Sequence, residues 1–385
     1  MPINIVNKKL CSGCAACFNI CPKNCISMKP DSCGFVYPFV DKAICINCEL
    51  CQHICPIINK ERLKAGKPLS VNVAWSKNAE LRYNSTSGGM FSEIAYQIII
   101  QGGSVVGAAY GKDNMVVHQI VKDAAGIEKL RQSKYVQSSI DNIYKIIKNL
   151  LENQIVLFCG APCQVAGLKS FLGSRYTNLI TMDFICHGVN SPKAYRAWLE
   201  ESESRQKAKV IRVQFRYKED GWKKSALCTR LDFSNGDIVI QRGIENAFMC
   251  GYLSSNLFVR PSCSECKFKG RNRYSDITVG DFWGVDSSLD DDKGTSFVQV
   301  NTTEGLALIN AIHQNIFIYE DLGDNIGKGN PCMDYSVEID PRSEEFLKKI
   351  GKEKSFSWLV DKYINNTLKK RMKSFIKRRI LQRFC

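Results

Sequence analysis

A chain of 385 residues with 44% hydrophobic and 24% charged side chains has room for two or three compact domains, and excludes wholesale disorder, a fibrous repeat and a polytopic membrane protein. The net charge is +15, but nine Lys or Arg and no acidic residue fall between Lys362 and Cys385, which leaves only +6 for the rest. The basicity belongs to a tail, so no nucleic-acid partner is expected of the body.

The departure from average composition is cysteine, with 19 residues, ten of them between Cys11 and Cys55. A secreted disulfide scaffold needs a signal peptide and usually a short chain. Met1 to Leu10 has no apolar run after its charges, so a reducing, cytoplasmic compartment is expected and the thiols read as metal ligands. No stretch reaches the 18 apolar residues of a spanning helix.

Residues 11–22 read CSGCAACFNICP and residues 45–56 read CINCELCQHICP, an internal repeat of the form C-x2-C-x2-C-x3-C-P. This spacing is the bacterial two-cluster ferredoxin pattern, in which each run gives three thiolates to one 4Fe-4S cube and its fourth to the other. Cys11, Cys14 and Cys17 are expected to act with Cys55, and Cys45, Cys48 and Cys51 with Cys21. The proline after each run turns the chain away. Zinc is the competing reading, but it takes four ligands as paired knuckles and fits two complete runs poorly. Cys25 and Cys33 stand outside the pattern as spare thiols. Two short β-like pieces flank a Pro-Asp-Ser-Cys-Gly turn between the runs.

Beyond a polar stretch at 60–70, read as a linker, β-rich and helical runs alternate. Strands are expected at Val71–Trp75, Ser104–Ala109, Met115–Val121, Ile155–Cys159 and Leu179–Ile185. Helices are expected at Gly88–Gln101, Ile140–Leu151, Pro162–Leu172 and Ser191 to about Glu203. Residues 207–240 change to three antiparallel pieces with a hairpin turn at 234–237. The fold class expected is α+β or α/β: a small N-terminal bacterial-ferredoxin-like domain, then a larger mixed α/β body with a β-rich lobe. The expected boundaries are 1–59 for the two-cluster domain, 60–70 for the linker, 71–150 and 151–340 for the two parts of the body, and 341–385 for a basic amphipathic tail. The glycine signatures of a Rossmann site and of a P-loop are both missing.

Four more thiols fall at connection points. Cys163 follows Pro162 at a helix start, where the dipole is expected to ease its ionisation. Cys186 leaves a strand, and Cys263 and Cys266 form a C-x2-C pair ahead of another strand. Together they suffice for one more cube; buried, idle cysteines are the alternative.

The segments STSGGMFSEIA (85–95), SKYVQSS (133–139), CGAPCQVAGL (159–168), DFICHG and CSECKFKGRNRYSDITVGDFWG (263–284) resemble the coenzyme F-420 hydrogenase/dehydrogenase beta-subunit family, in the bacterial form fused to a two-cluster ferredoxin domain. The resemblance implies a third 4Fe-4S cluster on Cys163, Cys186, Cys263 and Cys266. It also implies a bound flavin, FAD where such proteins are characterised. Ser87, Gly88 and Gly89 open a helix whose N–H groups could meet a pyrophosphate; an ordinary helix start is the alternative. Lys134, Tyr135, Gln137 and Ser138 match the family segment expected along the flavin. Cys159 stands where relatives often lack a thiol, as an incidental neighbour or an alternative ligand. The family name brings coenzyme F-420 as a candidate substrate, and the setting of some relatives suggests surface-polysaccharide synthesis.

The function expected is a flavin-dependent iron-sulfur oxidoreductase exchanging electrons with a redox partner protein or a small-molecule donor or acceptor, with no catalytic acid or base identified. A non-catalytic electron-transfer subunit and a regulatory iron-sulfur protein are the alternatives. A nucleophilic Cys163 is a further option, weakened because no paired histidine can be named. In the tail, Leu368, Met372, Phe375, Ile376, Ile380, Leu381 and Phe384 recur at helical spacing among basic residues, the pattern of a peripheral membrane contact through 362–385 or of a helix docked on the body.

Overall fold

The computed structural model describes residues 8–173, 176–321, 326 and 329–364. Thirteen strands are described among them: β1 (Ile26–Pro30), β2 (Val36–Val40), β3 (Ser70–Ser76), β4 (Ser104–Tyr110), β5 (Val116–Val121), β6 (Val156–Cys159), β7 (Leu179–Phe184), β8 (Val210–Phe215), β9 (Cys228–Phe233), β10 (Ile238–Arg242), β11 (Ile277–Asp281), β12 (Ser296–Val300) and β13 (Ile316–Glu320). They form a β1-β2 hairpin, a three-stranded sheet of order β10-β9-β8 and an eight-stranded sheet of order β13-β3-β12-β11-β7-β6-β4-β5. The large sheet is mixed. Its centre, β4-β6-β7-β11, is parallel, while β5, β12 and β13 pair antiparallel to their neighbours. Strands on both sides of the 150/151 boundary thus share one sheet.

Sequence explains the layering. The Val-Leu-Phe core of β6 has both faces covered, as a central parallel strand requires, and its three apolar residues are fully buried. One face of the sheet packs against helices Met90–Ile100, Ala124–Leu130 and Thr303–Ala311. The other packs against Ile143–Leu150 and Pro162–Leu172. The second of these begins at Pro162, as its fixed φ and missing N–H favour.

The N-terminal cysteine-rich segment rests on this second face. Cys14, Ala15 and Ala16 share a core with Tyr144, Val165 and Leu168. Phe35 enters a separate core built on helices Pro192–Gln206 and Ala247–Ser255 and the three-stranded sheet. There Trp198 stacks on Phe215 and Phe248 at 5.7 and 5.3 Å, contacts each worth about 0.5–1.5 kcal/mol beyond area burial. Residues 60–70 are no free linker, because Lys60–Arg62 form a turn and the Gly66 N–H donates to the Arg273 carbonyl at 2.9 Å.

Helix Ser343–Lys349 and a helix over 356–364 close the described chain on the same core. The apolar positions expected in the basic tail, Leu368 to Phe384, lie outside the described residues. Among those described, no helix is long and apolar enough to cross a membrane.

Candidate functional site

Five strands of the large sheet, β3, β4, β6, β7 and β11, point the same way. Their carboxyl ends are where α/β sheets place their chemistry. Cys163 follows β6 and Cys186 follows β7 at this edge. Cys263 and Cys266 arrive from the turn after Arg260. These four thiols, with Cys332, line one cavity of about 590 Å³.

Two further thiol-lined cavities lie in the N-terminal segment. Cys11, Cys14, Cys17 and Cys55 ring one of about 320 Å³. Cys21, Cys25, Cys45, Cys48 and Cys51 ring another of about 350 Å³. Cys55 thus lines the cavity of the first run and Cys21 that of the second. Left-handed backbone at Ala15 and Glu49 starts a short helix inside each run. Among the described residues no group of three or more His, Cys, Asp or Glu closes on a single metal-ion position.

The cavities abut. Ser12 and Ile57 line both the first and the third, and Cys17 and Cys51 share one packed cluster between the first and the second. Close approach of the segment to the body depends on Gly167. A Cβ there would lie 2.9 Å from the Cys14 Cβ and 3.0 Å from its Sγ. At the far end Cys48 is exposed, next to exposed Ile44, Ile46 and Leu50.

Burial dominates the thiol chemistry. It pushes Cys14 up to about 12, with Cys55 and Cys11 adding to the rise. Cys186 is likewise pushed up to about 12 by burial. Cys163 rises well above the ordinary thiol value, through burial and then its neighbours Cys186, Cys266 and Cys263. This corrects the expectation that the helix start makes Cys163 ionise easily: desolvation and three adjacent sulfurs outweigh one helix dipole. Soft thiols raised in this way, as Cys14, Cys163 and Cys186 are, become thiolates when a cationic centre binds them.

The third cavity is also basic. Arg260 is fully buried, and its guanidinium donates to the carbonyl oxygens of Cys11 (2.8 Å) and Val36 (3.0 Å) and to Gln137 Oε1 (2.8 Å). It lies 4.4 Å from the Tyr37 ring. Lys267, Lys269 and Arg273 line the same cavity. Arg273 faces Asp183 at 3.6 Å, whereas among the described residues Arg260 donates to neutral oxygen acceptors and lies against aromatic faces. A buried cation of this kind calls for an anionic neighbour, and a four-thiolate iron-sulfur group is anionic.

Other expected residues fall elsewhere. Cys25, read as a spare thiol, lines the second cavity with its Sγ 3.3 Å from that of Cys21. Cys33 packs against the body, its carbonyl accepting from Ser191 Oγ at 2.5 Å. Cys159 does not line the third cavity. Burial pushes it up to about 12, beside Asp183 and Lys134. Cys332 and the cations Arg260, Lys269 and Arg273 escaped sequence reading. A lone cysteine and scattered basic residues carry no spacing signal.

The residues assigned to flavin are held by other partners. The Gly88 N–H donates to Ser296 Oγ at 2.9 Å, and a Gly88 Cβ would lie 2.6 Å from the Ala74 carbonyl oxygen, so this glycine permits close packing on β3. Gly89 supplies the left-handed cap at φ 92°. The first helical turn carries buried Glu93, hydrogen-bonded to Ser76 Oγ, so a carboxyl group already occupies the dipole end. The Ser87 hydroxyl donates to Thr295 O at 2.7 Å. The Lys134 Nζ donates to the carbonyls of Leu130, Arg131 and Gln132, and burial lowers its pKa to about 7. The Tyr135 ring packs on Phe215 and Tyr252. Gln137 braces Arg260, and Ser138 accepts from Gln164 Nε2 at 2.9 Å. This arrangement does not fit a pyrophosphate on Gly88 and Gly89.

Residues 153–324 match the model of a family described as the C terminus of the coenzyme F420 hydrogenase/dehydrogenase beta subunit. The matched segment is similar to that family and includes Cys163, Cys186, Cys263 and Cys266 but not Cys332. No curated protein matches the chain. Among solved structures, a chain of the F420-reducing [NiFe] hydrogenase complex from Methanosarcina barkeri is similar at 15% identity and a TM-score of 0.47, covering 80% of this chain and 93% of that one.

Proposed function

We propose that the chain is an iron-sulfur electron-transfer protein of the oxidoreductase class, with three 4Fe-4S groups in series. Cys11, Cys14, Cys17 and Cys55 hold the first, and Cys45, Cys48, Cys51 and Cys21 the second, making residues 8–59 a ferredoxin-like domain. Cys163, Cys186, Cys263 and Cys266 hold the third. The observation that carries the reading is the set of three thiol-lined cavities, two sharing Ser12 and Ile57 in their walls and two linked through packed Cys17 and Cys51, running from the sheet edge to the surface at Cys48. Bound in these cavities, the groups supply one-electron storage at potentials set by burial, charge and hydrogen bonds.

The chain's own residues do the rest. Gly167 brings the body against Cys14, Arg260 pins the Cys11 carbonyl, and the surrounding cations favour the anionic reduced state. Exposed Ile44, Ile46 and Leu50 around Cys48 offer a port for a redox partner protein, which favours an electron-transfer subunit. The name of the matched family, that of hydrogenase and dehydrogenase beta subunits, supports the same reading.

Flavin dependence and an activity of the chain's own rest on the sequence resemblance. So do coenzyme F-420 as substrate and service to polysaccharide synthesis. Vesicle binding by chains lacking 362–385 tests the membrane contact of the tail.

The decisive experiment is oxygen-free purification with iron, sulfide and released flavin measured per chain. About twelve irons is the expected result for three 4Fe-4S groups, and about eight irons in a folded chain removes the third. One flavin per chain establishes flavin dependence; none leaves the electron-transfer subunit.

A further inference from the structure

The third cavity is lined by one thiol more than a 4Fe-4S cube has irons to ligate, and the fifth is held by a built network. The Cys332 Sγ lies 3.2 Å from His187 Nδ1. The His187 Nε2 lies 2.7 Å from Asn256 Oδ1, and the Asn256 amide is oriented by its own Nδ2 donating to the Glu338 carbonyl at 2.8 Å. Since Asn256 Oδ1 can only accept, Nε2 carries the proton. Bare Nδ1 then accepts from the Cys332 thiol. The ring is fixed further by Tyr252, edge-on at 4.9 Å.

The loop bearing Cys332 is tied to both neighbouring ligand loops. The Lys269 Nζ donates to the carbonyl of Cys186 and, at 2.7 Å, to that of Cys332. The Cys266 N–H donates to Ser336 Oγ at 3.1 Å, and the Gly270 N–H to Met333 O at 2.8 Å. The backbones of Cys332 and Cys186 thus meet at Lys269, both residues line the one cavity, and the Cys332 thiol is turned to a histidine.

Building on the reading of this cavity as the third cluster site, we infer that Cys332 is an exchangeable fifth sulfur donor, parked on His187 and able to replace Cys186 on the cluster. In the exchange the iron-sulfur bond to Cys186 breaks and that to Cys332 forms. The Cys332 thiol proton passes to the displaced Cys186 thiolate, and no electron changes hands.

The test compares oxygen-free wild type, Cys332→Ala, Cys186→Ala and the double variant by iron and sulfide content and by low-temperature EPR of the reduced protein. About twelve irons are expected in the wild type and both single variants, with an altered third-cluster signal in Cys186→Ala, and about eight in the double variant. A Cys186→Ala protein with about eight irons, or a double variant with about twelve, overturns the inference. A wild type with about eight irons overturns the reading of the third site, and the inference with it.

His187→Phe keeps the ring packing and all four primary ligands, so it guards against misfolding of Cys186→Ala. Freed Cys332 should then compete for iron and alter the third-cluster signal, and adding Cys332→Ala should restore the wild-type spectrum. An unaltered spectrum in His187→Phe counts against the inference.

Discussion

Replacing Arg260 by Met tests how the cysteine-rich segment is held to the body. The guanidinium makes three hydrogen bonds: to the Cys11 and Val36 carbonyls on the segment and to Gln137 Oε1 on the body. Met fills much of the same volume but donates nothing. Each acceptor left dry costs about 1–3 kcal/mol, and removing the buried charge returns part of its desolvation. A net loss of about 3–5 kcal/mol is expected. Because all three bonds cross or brace the same seam, the loss should appear as undocking. In oxygen-free hydrogen exchange, protection should fall first in residues 8–59, at a urea concentration where the eight-stranded sheet is still protected. Arg260→Lys should recover only a minor part, since one ammonium cannot reach three divergent acceptors. An Arg260→Met protein within about 0.5 kcal/mol of wild type, the range of an ordinary surface change, would refute the reasoning.

Gly167→Ala should gain up to about 1 kcal/mol in helix propensity but place a methyl 2.9 Å from the Cys14 Cβ. Overpacking of about 1–3 kcal/mol should win, so urea unfolding should show a less stable protein, while half-buried Ser170→Ala in the same helix should not. Burial lowers His118 to about 4 from its ordinary 6.5. The unfolded chain therefore binds a proton between pH 6.5 and 4 that the folded one refuses. The stability it contributes is complete above pH 6.5 and is lost as pH falls toward 4, by roughly 3 kcal/mol. His118→Phe, stacked like the imidazole on Phe158, should flatten that part of the pH-stability curve relative to wild type. Stripping iron with a chelator under reducing conditions should abolish exchange protection in residues 8–59 while the large sheet keeps most of its own, because the segment has little apolar core besides its thiols.

The gathering of the N-terminal thiols around two cavities was legible in the chain, because these cysteines are local and the repeat fixes their spacing. The helix from Pro162 to Leu172 was legible for the same reason: proline marks its start and apolar periodicity its length. The third cavity was legible only as a suspicion, since Cys163, Cys186 and the Cys263–Cys266 pair sit on connections whose meeting depends on the order of the sheet. Cys332 was invisible, reaching the cavity through bonds from Lys269 and through His187. The glycines at 88 and 89 suggested a phosphate cradle, and tertiary packing gave them different work against β3 and Ser296.

Sequence by itself determined what is periodic and near in the chain: the cysteine runs, the alternation of strands and helices, and the basic tail. Tertiary structure decided what is far apart. It set the sheet order that gathers Cys163, Cys186, Cys263 and Cys266, the burial that pushes the Cys163, Cys186 and Cys263 thiols up, and the buried cation of Arg260 on the same cavity wall. Desolvation and charge act through space, so residues distant in the chain acquire them only when the fold has brought them together.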